Sequence, residues 1–198
     1  GNAPADVREN AVLQRLLEAR ELKSAVAGRI WLGAPNSIKG PTEAVFQRQS
    51  GNNLLVVGQR DETILAILSI SLVSLAAQYP LGSARFILCD GTAPGTPQRE
   101  YLDHILGVIP HAITRAKPGD LGDIMKDLAE DMKQRADAPD PEVAPPTYLI
   151  IHGLQKYSKL RYEEEFGFST PDPDAPPNPA LVLNNLVCEG TRLGFHVI

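Results

Sequence analysis

Three short, uninterrupted apolar runs constrain this chain more than any other feature: Asn53-Leu-Leu-Val-Val-Gly58, Arg85-Phe-Ile-Leu-Cys-Asp90 and Tyr148-Leu-Ile-Ile151. A strand with one wet face alternates apolar and polar residues, whereas a strand that is apolar throughout has to be covered on both faces. Between the first two runs, Thr63 to Gln78 supplies sixteen residues rich in Ile, Leu and Ala, which suits a buried crossover helix. Strand, helix, strand at this spacing gives parallel pairing and a right-handed crossover. The predicted fold class is α/β, a mostly parallel sheet flanked by helices.

The remaining segments fill in that plan. Val12, Leu16, Ala19, Leu22 and Val26 recur at helical steps, so Asn10 to Ala27 reads as a flanking helix, and residues 1–28 are set apart from a main domain spanning 29–198. Gly28 stops that helix, and Arg29 to Gly33 reads as a short strand. Leu106 to Ile109 reads as another short strand. Pro118 to Ala136 reads as a helix with Leu121, Ile124, Met125, Leu128 and Met132 on one face. A final helix over Pro179 to Gly190 and a strand over Gly194 to Ile198 complete the alternation, while Ser169 to Pro179, with five prolines, is expected to be a mobile excursion.

Composition excludes several classes. No apolar run approaches the ~18 residues of a membrane-spanning helix. A formal charge of −5 gives no overall reason to bind a polyanion, and Arg29, Lys39 and Arg48 are too scattered to make a DNA track. Glu163 to Glu165 read as a solvated face. Cys89 and Cys188, both in apolar surroundings and without CxxC spacing, read as buried, reduced core residues of a cytoplasmic protein. No GxGxxG, GxSxG or HExxH pattern occurs in its required context. Because Gly1 replaces an initiator and Ile198 lies within an apolar run, the chain is expected to be a fragment of a longer parent.

Taken in order, these segments resemble the FtsK/SpoIIIE motor ATPases, including the EccC ATPases of type VII secretion. Asn53 to Gly58 is similar to the strand before that family's phosphate loop, Phe86 to Asp90 to its strand ending in Asp, and Ile109-Pro-His111 to its Pro-His turn. Leu128 to Arg135 resembles its Glu-Met-x-x-Arg helix, and Arg192 to Ile198 its late Arg-x-x-Gly-Ile-His-Leu segment. The resemblance implies a P-loop NTPase (RecA/FtsK-like) architecture, ATP and magnesium as cofactors, ring-forming homo-oligomers or sister ATPase domains as partners, and DNA or secreted protein as the translocated polymer. It also leaves room for a membrane tether elsewhere in the parent.

The nucleotide-site positions implied by the resemblance are Gly58, Gln59, Arg60, Asp61, Glu62, Thr63, Asp90 and His152, and there the chain departs from the family. A working phosphate loop needs glycines whose N–H groups wrap the phosphates, a Lys against their charge, and a Ser or Thr to hold magnesium. Counted without gaps from Gly58, Thr63 replaces the second Gly, Ile64 the Lys and Leu65 the hydroxyl. A two-residue deletion puts Thr63 at the hydroxyl but Glu62 at the Lys. Either way the lysine is lost, and Asp61 and Glu62 set negative charge beside the phosphates against Arg60 alone. After Tyr148 to Ile151 the family's Asp-Glu is replaced by His152-Gly153, removing metal ligand and general base. His152, His111 and His196 are expected to be structural, and Asp90 either a solvated strand end or a ligand contact. The expected function is a degenerate, non-hydrolysing module for assembly, docking or regulation; the alternative is a divergent ATPase that binds nucleotide through Arg60 and Thr63.

Overall fold

In a computed structural model, which describes residues 6–19, 21–34, 40–161 and 177–198, four parallel strands form the centre of the molecule. They are β3 (Arg85–Asp90), β4 (Ile113–Ala116), β5 (Thr147–His152) and β6 (Phe195–Val197), in the spatial order β4-β3-β5-β6. The described residues form five α-helices, α1 (Ala11–Glu18), α2 (Asp61–Ala76), α3 (Pro97–Val108), α4 (Leu121–Asp137) and α5 (Pro179–Cys188), of which α2 to α5 flank the sheet and α1 packs against β1 and α2. A separate antiparallel pair, β1 (Gly28–Gly33) and β2 (Thr42–Phe46), packs on α2.

Why β3 and β5 are apolar without alternation follows from their two neighbourhoods. Phe86, Leu88, Tyr148 and Ile150 enter one core with Leu65, Leu68, Leu72 and Leu75 of α2 and Leu102 of α3. Ile87, Cys89 and Leu149 enter the other with Leu121, Met125 and Leu128 of α4 and Leu186 of α5. Successive side chains point to opposite faces, so both faces must be apolar when both are covered. Each fully buried Leu or Phe contributes about 1.5–3 kcal/mol. Among the described residues no helix is long and apolar enough to cross a membrane.

Four expectations need correction. The flanking helix stops at Glu18 rather than Ala27. Leu13 buries against Trp31, but Val26 is fully exposed, and Ala25 donates its amide to the Gln78 carbonyl and packs on the α2-side core, a long-range bond that takes the place of a helical one. Leu106 to Ile109 is the end of α3, not a strand: Leu102, Leu106 and Ile109 recur at helical spacing and all meet the α2-side core. The neighbouring strand is instead β4, whose Arg115 interrupts the apolar signal. Cys188 is exposed on the outer side of α5, although Cys89 is buried.

The fourth correction concerns Asn53 to Gly58. The segment runs extended beside β6, but it is held there by one backbone bond, Leu54 N–H to the Val197 carbonyl, and by the Asn53 side chain, which accepts from Val197 N–H. β6 spans three residues and offers no further ladder partner. Leu55 and Val57 are 78% and 87% exposed, so this run is covered on one face only. Lys39, Glu163 to Glu165 and most of Ser169 to Pro179 lie outside the described residues.

An aromatic stack ties the sheet to β2. The Tyr148 ring lies parallel to Phe86 at 5.6 Å and to His196 at 5.5 Å, and Phe46 meets it edge-on at 5.7 Å. Its hydroxyl shares a 2.8 Å hydrogen bond with that of Tyr79 and fills the space where a side chain at Gly28 would begin. Gly28→Ala is therefore expected to cost about 1–3 kcal/mol, because Tyr148 Oη and Leu75 both bar the added methyl; chemical denaturation of the variant measures it. His196 pairs its Nδ1 with the Asn52 carbonyl at 2.9 Å, and burial pushes its pKa down to about 4. An unfolded chain takes up that proton near 6.5, so stability is expected to fall from pH 6.5 toward 4, by about 2–3 kcal/mol from this group. In unfolding curves across that window His196→Phe should lack the pH dependence that wild type shows; equal slopes in the two proteins would rule His196 out as the source.

Candidate functional site at the carboxyl edge

All four parallel strands end on the same side, and two expected site residues meet there. Asp90 and His152 are the last residues of β3 and β5 and face each other in register. The next residue seals the contact: Gly91 N–H donates to the His152 carbonyl at 3.1 Å, an approach that a Cβ at position 91 would block. Gly58, Gln59, Arg60, Asp61, Glu62 and Thr63 form the turn from the 53–58 segment into α2. Helix α2 ends near the start of β5, where Tyr79 meets Tyr148, so its first turn and the residues before it lie toward the carboxyl end of the sheet. Among the described residues no hydrogen bond or ion pair joins the turn to Asp90 or His152.

Asp90 is not the solvated strand end that the sequence suggests. Its side chain is 2% exposed. Oδ1 accepts from the Thr92 amide at 2.8 Å and the Thr92 hydroxyl at 2.6 Å. Oδ2 accepts from Nε of Arg115 at 3.0 Å and its Nη2 at 2.5 Å, and Nη1 of Arg99 lies 3.0 Å away. Arg115 Nη1 turns to Asp103 of α3, which Arg99 Nε approaches at 3.5 Å. Helix α3 presents Arg99 and Asp103 one turn apart because Thr96 caps its first turn and Pro97 occupies its first position, where no N–H is needed.

Burial by itself would raise the Asp90 pKa. The nearby His152 ring, the two bonds from Thr92 and the Arg115 guanidinium outweigh it and hold the carboxyl well below the usual carboxylate range. Two buried polar atoms beside Asp90 have no hydrogen-bond partner among the described residues: His152 Nδ1, which at 3.9 Å from Asp90 Oδ1 is beyond hydrogen-bond reach, and the Tyr157 hydroxyl. Lys156, in the short 3-10 turn Leu154–Lys156, crosses to donate to the Gly91 carbonyl at 2.7 Å.

The turn 58–63 has a different character. All six residues are exposed, and no side chain caps α2. Asp61 and Glu62 occupy the first helical turn, where their charge favours the helix dipole by about 0.3–1 kcal/mol each. That is the position in which a phosphate would otherwise gain from the same dipole. The donor set therefore does not fit magnesium–ATP: there is no lysine at the turn, acid stands at the helix N-terminus, and β5 ends in His152-Gly153.

The cluster partners Arg99, Arg115, Asp103, Thr92 and Lys156 were not singled out by sequence. Arg115 interrupting a strand next to an Asp-ended strand was the one available signal. His111, whose Nε2 pairs with the Tyr79 carbonyl at 3.0 Å, and His196 are buried structural groups away from this edge. Compared with protein-family models, with curated proteins and with solved structures, the chain finds no match.

Removing the charge at Asp90 leaves two guanidinium groups sharing a neutral acceptor. Asp90→Asn is expected to lose about 3 kcal/mol at pH 7, the low end for a broken buried pair because both arginines reach water. A depressed carboxyl pKa stabilises above the unfolded value near 4 and less below it, so the gap between wild type and variant should close as pH falls below about 4. A gap independent of pH would assign the loss to packing instead.

Proposed function

We propose that this domain is a P-loop-like module related to the FtsK/SpoIIIE motors that has lost ATP hydrolysis and serves a larger translocase by assembly, docking or regulation. The observation that carries the reading is the turn Gly58 to Thr63: it leads into α2 at the carboxyl edge, where a phosphate loop would stand, yet carries Asp61 and Glu62 and no lysine. Backbone amides at a helix N-terminus attract phosphate chiefly by charge, and two carboxylates in the first turn cancel that attraction. Asp90 supports the same reading. In a nucleotide site a carboxylate at a strand end is free to hold metal or water, whereas this one is occupied on both oxygens by Thr92, Arg99 and Arg115. His152 stands where the family carries acid, with glycine after it. On this reading a parallel sheet flanked by helices, compatible with a motor domain, stands without the metal ligand, lysine or general base that the chemistry needs.

Partners follow from that loss. A module that does no work alone is retained for its surfaces, so sister ATPase domains or further copies are the proposed neighbours, and secreted protein or DNA the polymer handled by the whole. Calorimetric titration of magnesium–ATP, with a phosphate-release assay on the same sample, tests the reading. Neither heat of binding nor turnover is expected for wild type, and Asp61→Gly/Glu62→Lys should gain affinity. Micromolar, magnesium-dependent binding by wild type would instead favour a divergent ATPase acting through Arg60 and Thr63.

A further inference from the structure

We draw no further inference here: the strongest candidate, the exposed apolar face of the extended segment 53–58 beside β6, on which Leu55 and Val57 stand 78% and 87% exposed, carries nothing because nothing in the structure shows what covers it.

Discussion

A carboxylate buried at the tip of a central strand needs compensation, and the carboxyl edge is arranged around that need. Asp90 sits between β4 and β5, so water cannot reach it, and each of its oxygens must be met by protein. β4 supplies Arg115, α3 supplies Arg99, and the loop between β3 and α3 folds back to supply Thr92. Three separate segments are thereby held in fixed relation to one strand end. A buried ion network of this kind adds less net stability than its bond count suggests, because desolvation offsets the attraction. Its effect is on position: α3 and the loop have one place in which the charges are satisfied.

The opposite end of the sheet is fixed by different physics. Tyr148 is stacked between Phe86 and His196 and hydrogen-bonded to Tyr79, which ties β5, β3, β6 and the turn after α2 into one rigid group. Arg135 does the same on the other face, lying 4.1 Å over the Phe195 ring while donating to the Pro145 and Leu193 carbonyls and to Thr147. With aromatic packing below and ion pairs above, β3 and β5 have little freedom. The turn 58–63, by contrast, is exposed throughout, and the segment before it is tied to β6 through Asn52, Asn53 and Leu54. The turn encloses nothing and carries Asp61 and Glu62 at its junction with α2.

The amino-acid sequence by itself determined that β3 and β5 are strands covered on both faces and that α2 and α4 are helices, because double-sided burial demands apolar runs and one-sided burial demands helical periodicity, and both are written locally; the expected pairing of 53–58 with β3 across α2 is not formed. It also determined that the turn after Gly58 lacks a phosphate-loop lysine. Only the tertiary structure decided the state of Asp90, since its partners Arg99, Arg115 and Thr92 come from separate elements and a carboxylate reads the same in sequence whether it is solvated or buried. The tertiary structure likewise decided the fate of Leu55 and Val57, which are as apolar as their counterparts in β3 but lack a covering layer, and of Leu106 to Ile109, where the apolar pattern fits strand or helix until the α2-side core selects one. Local pattern specifies what a segment needs; which distant residues meet that need is settled when the sheet order brings β4, β3 and β5 side by side.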